Sequence, residues 1–140
     1  MLLRPNQTKF NKKNKGRNNA KLERRSNKLQ FGIYGLQALE KGRITARQIE
    51  AVRRTITGLT KRKSKVWIRI FPDHPITKKP TEVRMGKGKG NVSHWVCNVK
   101  PGRILYEVAG KDDLILISAL NKAANKFPIN VKLIKRKLKN

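Results

Sequence analysis

Arg84-Met85-Gly86-Lys87-Gly88-Lys89-Gly90-Asn91 is the stretch of this chain whose residue types and spacing could do chemistry, and that chemistry is the holding of anions. Gly86, Gly88 and Gly90 stand at every second position, lack the Cβ atoms that would keep a bulky partner off the main chain, and allow backbone angles closed to other residues. Arg84, Lys87 and Lys89 add positive charge at the same place, and peptide N–H groups exposed in such a turn can form an anion-binding concavity. Two familiar phosphate loops do not fit. A P-loop needs a hydroxyl residue after its lysine, whereas Lys87 and Lys89 are each followed by glycine. A dinucleotide fingerprint needs a third glycine opening a helix, and here Asn91 leads into a strand-like alternation. A basic loop or hairpin tip able to press on a polyphosphate backbone remains, beside the alternative of a solvated lysine-rich turn.

Other chemistry is poorly supplied. Glu23, Glu40, Glu50, Asp73, Glu82, Glu107, Asp112 and Asp113 are scattered, and His74 and His94 have no partner at ligand spacing. The sequence therefore predicts no metal, no cofactor and no enzyme; a nuclease would need clustered carboxylates to hold divalent ions. The single Cys97 excludes an internal disulfide and Cys-cluster zinc sites, and its alternation with Trp95 and Val99 marks it as a small core residue.

Charge decides between the two readings of the loop. Lys and Arg number 35 against 8 Asp and Glu, a net charge of +27 on 140 residues, which repels itself unless a polyanion neutralises it. Nucleic acid is the expected partner, because cations that neutralise phosphates release condensed counterions. No run approaches the ~20 apolar residues of a membrane-spanning helix, so no membrane is expected, and nothing suggests a small-molecule substrate. A hydrophobic content of 37% suffices for one folded core.

The elements that must position the loop follow from periodicity. Residues 1–30 carry ten cations, Lys9, Lys12, Lys13, Lys15 and Arg17 among them, against Glu23, with no hydrophobic period; they read as a basic arm, disordered until it lies along a polyanion. A cleaved transit peptide is the rival reading of this start. Residues 31–134 read as one globular α+β domain with a mixed or antiparallel sheet and two helices, and 135–140, with Lys135, Arg136, Lys137 and Lys139, as a basic tail. Within the domain, Phe31 to Leu39 suggests strand broken by a bulge. Thr45-Ala46-Arg47-Gln48 matches a capping box for a helix over 46–60, with Ile49, Val52, Ile56 and Leu59 on its buried stripe and Arg47, Arg53 and Arg54 on the other face.

Lys65 to Phe71 alternates as a strand, Val66, Ile68 and Ile70 opposing Trp67, Arg69 and Phe71, with Trp67 read as core over a base-stacking platform. Pro72, Pro75 and Pro80 predict an irregular connection, and Thr81 to Met85 a short strand before the basic loop. Ser93 to Lys100 and Arg103 to Val108 read as a hairpin about Pro101-Gly102. Asp112 and Asp113 open a second helix with Leu114, Ile117, Leu120 and Ala124 buried, Pro128 stops it, and Ile129, Val131 and Leu133 form a last strand.

Four segments in order, Thr45 to Ala51, Trp67 to Asp73, Val83 to Val92 and Pro101 to Glu107, resemble the signature segments of the ribosomal protein L-sixteen family of the large subunit. Thr8-Lys9-Phe10 with Lys15-Gly16-Arg17 resembles that family's mature start, which argues against a cleaved leader. The resemblance implies an α/β-hammerhead-like domain bound to large-subunit rRNA beside the peptidyl-transferase centre, among neighbouring ribosomal proteins, with the Arg84 to Asn91 loop near A-site tRNA. It carries RNA contact onto Arg84, Lys87 and Lys89, and further onto Arg47, Arg53, Arg54 and the basic start. The alternative is a free RNA-binding or RNA-chaperone factor not stoichiometric with ribosomes. Richness in lysine and asparagine suits an AT-rich genome and points to a mitochondrial large subunit, with the bacterial cytoplasm as the alternative.

Overall fold

The computed structural model describes residues 3–18 and 20–136. In chain order the elements are β1 (Tyr34–Ala38), β2 (Gly42–Thr45), α1 (Ala46–Leu59), β3 (Lys65–Ile68), β4 (His74–Lys78), β5 (Asn91–Val99), β6 (Ile104–Ala109), α2 (Asp113–Ala124) and β7 (Val131–Lys135). They form two antiparallel sheets, one ordered β3-β6-β1-β7 and the other β2-β5-β4, with α1 and α2 packed on each other and over the strands: an α+β fold.

The core explains the layout. In β1, Tyr34, Leu36 and Ala38 point to the helices at alternate positions. A register shift between Leu36 and Gln37 supplies the bulge that Gly32 and Gly35 had suggested. β6 is buried from Ile104 to Val108 because it lies between β3 and β1 with both faces covered. Thr45 caps α1: its hydroxyl accepts from the Gln48 N–H at 3.2 Å, and the Gln48 side chain accepts from the Thr45 N–H at 2.9 Å. Ile49, Val52 and Ile56 of α1 are fully buried, but Leu59 is 39% exposed because the helix ends there. The chain then turns sharply, with Lys61 and Arg62 both at positive φ.

Several expectations fail for identifiable reasons. Thr81 to Met85 is turn and bend, and the strand before the basic loop is β4, inside the proline-rich connection. Pro75 is tolerated there because β4 is an edge strand. Ser93 to Lys100 and Arg103 to Val108 make no hairpin: β5 is the central strand of one sheet and β6 lies inside the other, so each already has neighbours on both edges. Pro101-Gly102 is a crossing between sheets. β2 was not foreseen, and β3 ends at Ile68, although the Arg69 N–H still bonds the Leu105 carbonyl at 2.9 Å. Trp67 lies on the sheet face away from the helices and is only partly buried. In α2 the buried stripe is Leu116, Ala119, Leu120 and Ala123, while Leu114 is 84% exposed. The run from Leu114 to Ile117 is apolar at every position, so periodicity cannot choose the phase; packing against α1 does.

The amino-terminal arm has no helix or strand among its described residues, yet it is seated. The Asn18 amide donates to the Gly42 carbonyl at 2.6 Å, Glu23 N–H to Pro101 at 2.9 Å, and Ile104 N–H to Ser26 at 2.8 Å. Glu107, fully buried, accepts from the N–H groups of Gln30 (3.0 Å), Phe31 (2.7 Å) and Gly32 (2.8 Å) through one oxygen and from Arg69 through the other. Burial would push this carboxyl up, but the hydrogen bonds from Gly32, Phe31, Arg69 and Gln30 outweigh it and hold it below the usual carboxylate range. At the other end Lys135 closes β7 and the Arg136 N–H bonds the Ile33 carbonyl at 2.7 Å; Lys137 and Lys139 lie outside the described residues.

Candidate nucleic-acid interface

The basic loop is the tip of the β4–β5 hairpin. Residues 80–89 are all exposed, Met85 at 97%. Gly86, Lys87 and Gly88 follow one another at φ 98°, 56° and 89°, a left-handed curl that the two glycines permit. A Cβ at Gly86 or Gly88 would meet nothing within 4 Å, so these positions leave open space beside the backbone. Gly90 differs: a Cβ there would stand 2.8 Å from the carbonyl carbon and oxygen of Lys78, so this glycine is required by the foot of the hairpin itself. Across the tip the Lys79 ammonium donates to the Gly86 carbonyl.

Folding brings part of the arm to this loop. The Lys12 ammonium donates to the Lys89 carbonyl at 3.0 Å, and the Lys89 ammonium donates to the Lys13 carbonyl at 2.8 Å. A cleft of about 730 Å³ at the hairpin's foot is lined by Arg4, Lys12, Arg47, Asn91 and His94 and contains no carboxylate. Arg47 reaches it because Thr45 caps α1 beside β5, to which β2 is paired. Arg84 and Lys87 project from the tip, and Lys9, Lys15 and Arg17 lie exposed along the arm. Arg43 steadies that arm, donating to the Lys15 and Gly16 carbonyls at 2.8 and 3.0 Å.

Arg53 and Arg54 are placed differently. Both hold Glu50: Arg53 bidentately at 2.6 and 2.9 Å, Arg54 at 3.1 Å. The Arg53 hydrogen bond, helped by Arg54, keeps the Glu50 carboxyl at about 2 against the pull of its partial burial. Two guanidiniums thus share one carboxylate, and Arg54 borders a separate hollow with Lys122 and Lys126. Arg4 falls within the basic start expected to meet RNA, whereas Arg43, Lys79 and Glu107 carry no expected role from sequence; an acid inside the otherwise apolar Ile104 to Val108 run was the one signal marking Glu107. Cys97 is buried, and burial pushes its thiol up, away from reactivity. Among the described residues no three His, Cys, Asp or Glu side chains gather as metal ligands, and no helix is long and apolar enough to cross a membrane.

Residues 5–134 match the family model described as ribosomal protein L16p/L10e. The chain belongs to that family. Proteins named large ribosomal subunit protein uL16 are similar over nearly their whole length: that of Psychrobacter arcticus is 55% identical over 135 residues, covering 96% of this chain and 98% of the relative. That of Francisella tularensis subsp. novicida is 52% identical over 137 residues, covering 98% and 99%. A ribosomal protein of this family is a structural component, not an enzyme. These relatives are bacterial, and they lend no support to the mitochondrial assignment drawn from lysine and asparagine content.

Proposed function

We propose that this L16p/L10e-family chain is a structural constituent of the large ribosomal subunit that binds large-subunit rRNA beside the peptidyl-transferase centre and helps organise the binding region of A-site tRNA. The observation that carries the proposal is the convergence of arm, α1 and hairpin on one basic surface around a cleft whose lining holds no carboxylate: Lys12, Lys13 and Lys89 interlock while Arg4 and Arg47 line the cleft below. Like charges held this closely without an acid repel one another, and a polyanion relieves that repulsion. The arm and cleft form the fixed contact with rRNA, and Arg84, Lys87 and Lys89, with the open backbone at Gly86 and Gly88, face the acceptor end of tRNA. Gly90 serves the hairpin, and Arg53 and Arg54 contribute the one net charge left after Glu50. Neighbouring ribosomal proteins complete the surroundings.

A map of large subunits from the source cell, with copies per subunit counted, tests this. One copy per subunit, with phosphate or ribose oxygens within reach of Lys87 and Lys89, is expected. Sub-stoichiometric association would favour the free RNA-chaperone reading, and a tip standing in bulk solvent would remove the tRNA role.

A further inference from the structure

A second surface lies on the other sheet from the basic loop. Along β3 and one step beyond it, the face turned away from the helices carries Lys65, Trp67 and Arg69, a row of cation, ring, cation. Phe31 of the arm lies on Trp67 with ring centroids 6.0 Å apart and planes 20° from parallel. The Lys65 ammonium stands 5.2 Å from the Trp67 ring centre and the Arg69 guanidinium 5.1 Å from that of Phe31. Lys61, Arg62 and Lys63 precede the row across Ser64, in a turn where Lys61 and Arg62 take positive φ.

Anchoring the arm does not account for this stack. Its backbone is fixed by three N–H bonds to Glu107, which need no ring, and Phe31 remains 53% exposed. An offset aromatic pair with much of its face in water and cations at its margin has the composition of a single-stranded RNA platform, where a base stacks on the rings and its phosphate meets the lysines. Glu107, which faces Trp67 across the strand pair, is buried and fully engaged; the exposed acids, Asp73 beside Arg69 and Phe71 and Asp112 beside Lys61 and Lys63, border hollows to either side of the Phe31–Trp67 pair.

We propose that Phe31 and Trp67, flanked by Lys65, form a stacking site for an unpaired base of RNA, separate from the loop that faces tRNA. The inference rests on the RNA-binding reading and deepens it: the loop side holds backbone, and this side reads an extruded base. On binding, Lys65 leaves the Trp67 ring for the phosphate beside the stacked nucleotide.

The test compares the full-length protein's affinity for octa-adenylate with that for an abasic octamer of the same charge. About tenfold tighter binding of the base-bearing strand is expected. Phe31→Ala should reduce that ratio to roughly threefold or less and Phe31→Leu should do the same, while Phe31→Trp keeps it; all three should leave the abasic affinity within about twofold. Equal binding of the two strands by the wild type, or a ratio indifferent to Phe31, overturns the stacking site while leaving RNA binding intact. Failure to bind either strand overturns both. In intact large subunits, ultraviolet cross-linking should place a nucleotide on Phe31 or Trp67; an adduct there to a peptide alone overturns the RNA occupant.

Discussion

Glu50 and Glu107 show how two carboxylates on a highly cationic chain take opposite roles. Glu50 sits on α1 and neutralises guanidinium charge that RNA would otherwise meet. Glu50→Gln should therefore raise affinity for rRNA fragments at low salt and steepen the salt dependence by roughly one phosphate contact, read from binding isotherms over a salt series. Its folded value of about 2 lies below the ordinary carboxylate value of 4.5, so the stability it contributes is present above about pH 4.5 and is lost as pH falls towards 2. Glu107 is also depressed, so its stabilisation too is present above the ordinary range and lost on acidification. Because it is buried and pairs Arg69, Glu107→Gln should destabilise by roughly 3 kcal/mol in urea titrations. Faster hydrogen exchange at residues 30–32 would accompany the loss. Unchanged exchange there would mean the arm is held by something else.

At the scale of elements, the β4–β5 hairpin separates two uses of glycine that look alike in sequence. Gly90→Ala drives a Cβ into the Lys78 backbone and should cost at least 2 kcal/mol, on the order of a strained backbone contact, whereas Gly88→Ala meets open space and bears only the left-handed φ, about 1 kcal/mol. Thermal unfolding should rank them in that order. The charge at the tip has a different readout. Lys87→Glu with Lys89→Glu should impair tRNA accommodation on assembled subunits more than it lowers the melting temperature of the isolated chain; an equal loss in both would assign these lysines to folding. Lys89 also donates to the arm, so Lys89→Glu alone should loosen residues 12 and 13, visible as increased amide exchange in the free protein.

For the whole molecule, the interlocked arm makes RNA affinity a property of the assembled surface. Removing residues 1–17 deletes Arg4, Lys9, Lys12, Lys13, Lys15 and Arg17 while the apolar core, built mainly from residues 34–127, stays. The truncated chain should fold, and the slope of log affinity against log salt should fall by roughly three to five, because not every cation need meet a phosphate. A slope unchanged by truncation would place the rRNA contact elsewhere.

The charge excess, the capping box, the stripe of Ile49, Val52 and Ile56, and the cationic glycine loop are written into local sequence, because they depend on residue type and on contacts a few positions apart. The family resemblance was legible for the same reason, four short segments in order. Tertiary structure alone decided that β5 and β6 part into different sheets, that Pro75 sits in an edge strand, and that α2 turns Leu116 rather than Leu114 inward. It alone brought Lys12 to Lys89, Phe31 to Trp67 and Gln30 to Glu107, pairs separated by 77, 36 and 77 positions. Those choices belong to competition among strands for central places and to backbone N–H and C=O groups that hydrogen-bond whatever side chain they carry, and neither leaves a periodic mark along the chain.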